Sequence, residues 1–242
     1  MASGEQSDLP ARRGGPSRDA EEALAELERA LRTDPAAPIA DSTRARAGDV
    51  HIADSLSGLE FAELRSAQRI ADIGAGAGLP GLPLAARLPD AAVHLIESNR
   101  RKSEFIERTA ERMGLRNAMA VASRAEQVSA AEGAPGAPGP EAYDAVTARA
   151  VGRLSTLAEL ASPLLRAGGW LLAWKGKRDP DEEAELERAL PRVAMEIREV
   201  RPVTPYAGSR DRHIHLLRKN GPTPSDLPRR DGLAAKRPFG SE

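Results

Sequence analysis

A glycine-rich segment at residues 71–81, with the sequence ADIGAGAGLPG, is the part of this chain best suited to hold a ligand. Four glycines occur within eight residues, which is more than a simple chain reversal requires. They are Gly74, Gly76, Gly78 and Gly81. Because glycine has no side chain, a ligand can lie directly against the backbone N–H groups. The segment joins an apolar run to a helical pattern, and open α/β folds bind ligands at such a junction.

Two carboxylates accompany this loop. Glu97 follows Gly76 by 21 residues and ends the next apolar run, where an acidic side chain accepts hydrogen bonds from ribose hydroxyls. Asp72 lies just before the loop and suits a ligand with a positive centre. Its alternative role is to cap the loop or the following helix. The glycine loop and Glu97 together predict a ligand that contains a nucleoside.

Two classes of cofactor compete for this loop. The segment at residues 76–81 also matches the dinucleotide fingerprint G-x-G-x-x-G, so a nicotinamide-dependent oxidoreductase is one interpretation. In dinucleotide folds, however, the first glycine of the fingerprint directly follows the strand. Here the strand ends two residues earlier, at Gly74, and Pro80 and Pro83 interrupt the start of the helix. The sulfonium and amino groups of S-adenosylmethionine also suit Asp72 better than a pyrophosphate does, so we favour S-adenosylmethionine.

The elements around the loop are typical of an α/β fold. From Arg69 onward, short apolar runs alternate with helical patterns, which predicts a parallel sheet with helices on both faces. The predicted strands are 69–73, 92–97, 118–122, 144–148 and 170–174, followed by an antiparallel pair at 194–200 and 213–218. The predicted helices are 81–88, 100–113, 154–165 and 181–190.

The chain divides into four predicted parts. Residues 1–18 are rich in Gly, Ser, Arg and Pro and predict a disordered leader. Residues 19–66 form an N-terminal helical extension whose first helix starts after Asp19. Residues 67–219 form the α/β domain. Residues 220–242 are basic and interrupted by several prolines, so we expect a flexible tail.

Composition excludes several classes of protein. The 242 residues include no cysteine and only four histidines, so we expect neither disulfides nor a metal site. No apolar run is long enough to cross a membrane. The formal net charge is −1, so any polyanionic partner must meet local basic patches instead of a global positive field. We expect a cytoplasmic monomer.

An ordered set of motifs resembles a known family. The motifs are HIADSL at 51–56, IADIGAGAGLPGLP at 70–83, SRAE at 123–126, TARA at 147–150 and WKG at 174–176. They resemble the ribosomal small-subunit methyltransferase G family, also called glucose-inhibited division protein B. The resemblance implies a class I Rossmann-like fold with a mostly parallel seven-stranded sheet. It also implies methyl transfer from S-adenosylmethionine to N7 of guanine 527 in 16S rRNA, as free RNA or in the 30S subunit.

The resemblance also assigns site residues. The positions that match the family's cofactor contacts are Gly74, Leu79, Ala125, Glu126 and Arg149, and Glu97 matches its acid at the second strand end. Arg124, Lys175 and Arg212 match basic positions that handle RNA or substrate. Upstream of His51 the family's Asn-Leu-Thr element is missing or shortened, so we expect the N-terminal contribution to RNA docking to differ from the family pattern.

The implied reaction agrees with what the sequence lacks. N7 of guanine carries an in-plane lone pair, so its methylation needs no general base. The Asn-Pro-Pro-Tyr motif of many amino-group methyltransferases is replaced by Thr147-Ala-Arg149-Ala. We therefore expect Arg149 to position a reactant, either through the carboxylate of the cofactor or through guanine O6. A solvated loop arginine is the alternative.

Basic side chains are concentrated in two segments. Residues 100–124 hold seven Arg or Lys against three Glu, and residues 218–242 hold six Arg or Lys against three acids. Such clusters can bind phosphates, and the named candidates here are Arg101, Arg124, Arg229 and Arg230. A solvated helix face and an inert tail are the alternatives. An RNA-binding assembly factor without catalytic activity also remains open.

Overall fold

The computed structural model describes residues 19–241, and the strands in this range form one seven-stranded sheet. Its strands are β1 (Arg69–Ile73), β2 (Ala92–Ile96), β3 (Ala118–Val121), β4 (Tyr143–Arg149), β5 (Leu165–Lys175), β6 (Met195–Pro202) and β7 (His213–Lys219). They lie in the order β3-β2-β1-β4-β5-β7-β6. Strand β7 is antiparallel to both of its neighbours, and the remaining pairs are parallel. The predicted mostly parallel sheet, with its antiparallel pair at one edge, is confirmed.

Helices cover both faces of this sheet. In the same residues they are α1 (Ala20–Thr33), α2 (Asp41–Arg44), α3 (Asp54–Leu56), α4 (Ala62–Arg65), α5 (Gly81–Arg87), α6 (Arg100–Met113), α7 (Ala125–Val128), α8 (Leu154–Ala161), α9 (Pro180–Ala189) and α10 (Leu233–Lys236). A π-helical turn at Gly48–Ala53 precedes α3, and 3₁₀ turns occupy Ser57–Glu60 and Leu190–Arg192. None of these helices is long and apolar enough to cross a membrane.

Two hydrophobic cores lie on the two faces of the sheet, because successive side chains of each strand point to opposite faces. In β1, Ile70 packs with α1, α5 and α6 on one face, while Ala71 and Ile73 pack with α7, α8 and α9 on the other. The strand is buried after its first residue, as expected for a parallel strand between two helical layers. Because the central strands are parallel, their carboxyl ends lie together at one edge of the sheet.

The N-terminal extension belongs to the first core. Leu27 and Leu31 of α1 are fully buried, and α1 contacts both α5 and α6. Asp19 caps this helix by accepting a hydrogen bond from the backbone N–H of Glu21. The leader predicted at residues 1–18 lies outside the described residues.

Two predicted boundaries shift at one junction. The helix predicted at 154–165 ends at Ala161, and the strand predicted to begin at Trp170 begins at Leu165. Pro163 follows the helix end closely, and proline lacks the N–H that a continuing helix needs.

The structure corrects the prediction of a flexible tail. The segment at residues 221–241 lies against α8, and its Leu227, Ala234 and Phe239 are buried. Arg229 binds the carboxylate of Glu159 on α8 through two hydrogen bonds, at 2.6 and 2.5 Å. The segment has few apolar residues, but these few are spaced to reach the second core, and ion pairs satisfy part of its charge. Below, residues 221–241 are called the C-terminal segment.

Candidate active site

The glycine loop after β1 adopts a backbone that only glycine tolerates easily. Gly74, Gly76 and Gly78 have φ angles of 62°, 57° and 81°. A Cβ at Gly74 would lie 2.7 Å from Val151, and one at Gly78 would lie 2.4 Å from Leu82. At Gly76 the nearest atom to such a Cβ is 3.8 Å away. The loop is therefore packed against the protein at its ends and bare at Gly76, where a ligand can approach the backbone.

Glu97 reaches this bare position from the end of β2. Its Oε2 accepts a hydrogen bond of 3.0 Å from the backbone N–H of Gly76, and its Oε1 accepts one of 2.7 Å from Asn99. The structure thus brings together the two residues whose spacing predicted a ribose contact. Each carboxylate oxygen has a second lone pair, which leaves Glu97 able to accept from ribose hydroxyls.

Asp72 is buried beneath the glycine loop and binds the start of α5. The side chain is fully buried; its Oδ2 accepts from the backbone N–H of Gly81 at 2.9 Å, and its Oδ1 accepts from the Thr147 hydroxyl at 2.9 Å. Burial raises the pKa of Asp72 to about 7, against the opposing effect of these hydrogen bonds. This geometry favours the capping alternative, in which Asp72 holds the start of α5 and joins β1 to β4 instead of touching a ligand.

The end of the loop after β3 and the first turn of α7 carry three further predicted residues. Ala125 is buried, Arg124 is exposed, and Glu126 is partly exposed. Oε1 of Glu126 accepts a hydrogen bond of 2.8 Å from the backbone N–H of Gly232. Next to it, Gln127 donates to the carboxylate of Asp231 at 2.7 Å. The C-terminal segment therefore contacts side chains of α7, which the sequence did not indicate.

A cleft of about 170 Å³ lies at the carboxyl ends of β4 and β5. It brings together three basic side chains that the sequence placed far apart, those of Arg149, Lys175 and Arg212. The other residues that line it are Asp54, Ala150, Gly152, Leu157, Trp174, Gly176, Val203 and His213. Because the β1 loop ends the neighbouring strand, the loop and the cleft share one edge of the sheet.

Arg149 is held by the N-terminal extension. Its Nη1 donates to Oδ2 of Asp54 at 2.9 Å and to the backbone carbonyl of His51 at 3.2 Å. The Arg149 side chain is 13% exposed and that of Asp54 is 8% exposed. The alternative of a solvated loop arginine is therefore wrong. The sequence indicated His51 and Asp54 only as part of the HIADSL motif at 51–56, and their contact with Arg149 was not predicted.

His51 completes this network as a neutral ring. Burial and the nearby charge of Arg149 lower its pKa to about 4. Its Nδ1 lies 3.5 Å from Nη2 of Arg149, and its Nε2 lies 2.8 Å from the hydroxyl of Thr43, which itself donates to the carbonyl of Ala40. Arginine can only donate, so the network assigns the ring proton to Nε2.

The other two cationic side chains of the cleft differ in how they are held. Nζ of Lys175 donates to the carbonyl of Gly152 at 3.0 Å and to Glu182 at 2.7 Å. Interaction with Tyr206 raises the pKa of Arg212 above its ordinary value, and among the described residues the buried Nε of Arg212 has no hydrogen-bond partner. Trp174 donates its indole N–H to the carbonyl of Asp54 at 2.9 Å, so it anchors the extension to β5 and is too buried to stack on a base.

The predicted RNA contacts separate into two groups. Arg101, Arg124 and Arg230 are exposed, as phosphate contacts must be. Arg229 is not, because its guanidinium binds Glu159 and the carbonyl of Arg237 and is only 17% exposed. We correct its predicted role from RNA contact to anchor of the C-terminal segment.

Curated relatives agree on one family. The model of the family described as rRNA small subunit methyltransferase G matches residues 39–214. A protein of that name from Rubrobacter xylanophilus is 40% identical over 193 residues, which cover 78% of this chain and 72% of the relative. One from Thermotoga neapolitana is 38% identical over 189 residues, 78% of each chain.

Solved structures agree on the fold. A SAM-dependent methyltransferase from Aquifex aeolicus matches with a TM-score of 0.52 at 14% identity, over 81% of this chain and 98% of that one. Fibrillarin from Aeropyrum pernix, solved with natively bound S-adenosyl-L-methionine, matches with a TM-score of 0.50 at 18% identity, over 68% and 72%. The predicted class I methyltransferase fold is confirmed, and the interpretation as a nicotinamide-dependent oxidoreductase finds no support. The chain belongs to the rRNA small subunit methyltransferase G family.

Proposed function

We propose that this protein transfers the methyl group of S-adenosylmethionine to N7 of guanine 527 in 16S rRNA. The observation that carries the proposal is the arrangement of two sites along one sheet edge. One is the bare glycine loop beside Glu97, and the other is a cleft lined by Arg149, Lys175 and Arg212. A nucleoside cofactor fits the first site, and a base of an RNA chain fits the second.

The residues of the first site fit S-adenosylmethionine. The backbone at Gly74, Gly76 and Gly78 has room for a ligand at its centre, and Glu97 offers oxygens to the ribose. Leu79, Ala125 and Glu126 complete the contacts that family membership suggests, and Arg149 is a further one if it binds the carboxylate of the cofactor. When bound, S-adenosylmethionine supplies an electrophilic methyl group on a sulfonium ion.

Positioning accounts for the chemistry that the protein itself must supply. The in-plane lone pair of guanine N7 attacks without loss of a proton, so no residue has to act as a base. His51, which is neutral at physiological pH, and Arg149 therefore orient groups and transfer no proton. Holding two reactants in line can supply an effective molarity of about 10⁵ M or more.

The exposed cations supply affinity for RNA. Arg101, Arg124 and Arg230 meet phosphates, which raises affinity without selecting a base. We propose that the enzyme acts as a cytoplasmic monomer. The same contacts serve free 16S rRNA or an assembled 30S subunit.

Transfer of labelled methyl groups tests this function. Purified protein is incubated with labelled S-adenosylmethionine and 30S subunits or 16S rRNA from a strain that lacks the modification. Mass mapping of the RNA is expected to find one added methyl group, on guanine 527. Methylation of another nucleotide would contradict the proposed position. Tight RNA binding without methyl transfer would instead support the assembly-factor alternative.

A further inference from the structure

The N-terminal extension supplies an acidic partner to the one arginine expected to orient a reactant. Asp54 begins α3 of the extension, and Arg149 ends β4, 95 positions later in the chain. Their side chains meet at 2.9 Å inside the cleft, and both are largely buried. A buried charge pair with this geometry fixes a flexible arginine in one orientation.

Asp54 is itself fixed from a second side. Its backbone carbonyl accepts the indole N–H of Trp174 on β5 at 2.9 Å, while its side chain accepts from Arg149 on β4. The extension is thus pinned across two neighbouring strands at the cleft. The other groups that face this pair are the neutral ring of His51 and the guanidinium of Arg212.

We propose that Asp54 is a positioning residue that orients Arg149 for methyl transfer, which makes the N-terminal extension part of the active site. This inference rests on the proposed function. His51 assists through its carbonyl oxygen and its Nδ1, which both face the guanidinium.

The charge of Asp54 has a second effect on the same reaction. Methyl transfer to N7 moves a positive charge from the sulfonium to the guanine ring. An unpaired guanidinium beside that ring would oppose the transfer, because charges interact strongly in a partly dry cleft. The Asp54 carboxylate cancels most of the Arg149 charge while leaving its remaining N–H groups free to orient a ligand.

The substitution Asp54→Asn tests the proposal because it removes the charge and keeps the size of the side chain. We expect kcat for methyl transfer to 30S subunits to fall about 100-fold, the typical cost of misplacing a reactant by about 1 Å. With Arg149 orienting the guanine, affinity for S-adenosylmethionine, measured by calorimetry, should change less than about threefold, since Glu97 and the glycine loop are untouched; a larger loss would place Arg149 on the carboxylate of the cofactor and overturn the charge argument at the guanine ring. Asp54→Glu should recover part of kcat because the carboxylate is restored.

Glu159→Gln is the matched control. Glu159 is a buried partner of an arginine, like Asp54, but it lies on α8 and outside the cleft. We expect it to lower thermal stability and to leave kcat near that of the wild type below its melting temperature. An equal loss of kcat in both variants would show that Asp54 acts only through stability and would overturn the proposal.

A double-mutant cycle with Arg149→Lys separates positioning from a direct role of Asp54. If Asp54 acts through Arg149, the Asn substitution costs far less kcat in the Arg149→Lys background. A full and independent loss there would contradict the inference. If Asp54→Asn does not fold, Asp54→Glu replaces it in the cycle. Wild-type protein that does not methylate 30S subunits would refute the proposed function, whereas active wild type with an unaffected Asp54→Asn would refute only this inference.

Discussion

The N-terminal extension and the C-terminal segment contact different parts of the sheet edge that is formed by the carboxyl ends of the parallel strands. The N-terminal extension places the carboxylate of Asp54 inside the cleft, against Arg149. The C-terminal segment touches the other end of this edge, where Gly232 and Asp231 bind the side chains of Glu126 and Gln127. One flank therefore shapes the proposed acceptor site, and the other supports the proposed cofactor site from outside.

The two segments also differ in how they are anchored. Helix α1 buries a stripe of leucines in the first core, and its Leu27 and Leu31 have no exposed surface. The C-terminal segment relies on a few side chains and on Arg229, which pairs with Glu159 and lies 4.0 Å from the ring centre of Phe239. Apolar burial dominates at the N-terminus, whereas an ion pair dominates at the C-terminus. Destabilising substitutions should therefore act through lost apolar burial in the N-terminal extension and through a lost ion pair in the C-terminal segment.

Leu27→Ala should give the largest loss of stability. Removing a fully buried leucine costs about 2–5 kcal/mol, the transfer free energy plus the cavity that remains. Leu227→Ala, at 9% exposure on the rim of the second core, should cost less than about 2 kcal/mol because its site can collapse or admit water. Urea unfolding measures both values. Equal losses would contradict the view that the N-terminal extension is the more deeply anchored segment.

Arg229→Ala should cost about 3 kcal/mol of unfolding free energy, because the Glu159 carboxylate would remain buried without its partner. Arg230→Ala is the control: the neighbouring side chain is exposed, so its removal should change stability by less than about 0.5 kcal/mol. Thermal unfolding of both variants provides the comparison. If both variants have the same melting temperature, the ion pair does not stabilise the C-terminal segment.

Local signals account for the elements that the sequence predicted best. Strand β1 and helix α6 have the predicted bounds. In α6, the Asn99 side chain accepts from the N–H of Lys102 at the start, and Gly114 adopts a φ of 71° at the end. Caps of this kind lie within a few residues of the boundary that they set, so one stretch of sequence contains the whole signal.

The missed features depend on contacts between distant residues. Arg149 was a predicted site residue and Asp54 lies in the HIADSL motif, yet no local pattern indicates that β4 and α3 bring them together. The sequence of the C-terminal segment predicts a solvated tail because it contains several cations and no nearby partner for Arg229. That partner, Glu159, lies 70 positions earlier in the chain. The sequence thus identified the residues of the glycine loop and the cleft, while the pairing among charged residues required the fold.

Glu97→Ala tests the proposed cofactor site at the glycine loop. We expect the free energy of S-adenosylmethionine binding to weaken by about 1–3 kcal/mol, since the ribose loses charge-assisted hydrogen bonds and the Gly76 N–H loses its acceptor. Glu104→Ala is the matched control, because that carboxylate pairs with Arg100 on the exposed face of α6. Calorimetry compares them. An unchanged affinity for Glu97→Ala would show that the ribose binds elsewhere.

Asp231→Ala should have a smaller effect on the same measurement. Asp231 accepts from Gln127 at 2.7 Å and lies 3.8 Å from Arg124, so its removal frees both partners to reach water. We expect about 1 kcal/mol or less of lost cofactor affinity. A loss as large as that of Glu97→Ala would mean that the C-terminal segment forms part of the cofactor site instead of supporting it.

Arg230→Ala addresses what remains of the predicted role of the tail in RNA binding. Arg229 is committed to Glu159, so of these two neighbours only the exposed Arg230 can bind a phosphate. Each phosphate contact on a duplex contributes about 0.9 to the slope of log K against log salt, so the substitution should lower that slope by up to about 0.9. Methyl transfer at saturating RNA should stay unchanged, because a phosphate contact does not orient the base. Filter binding across a salt series measures the slope, and a slope equal to that of the wild type would show that Arg230 binds no phosphate.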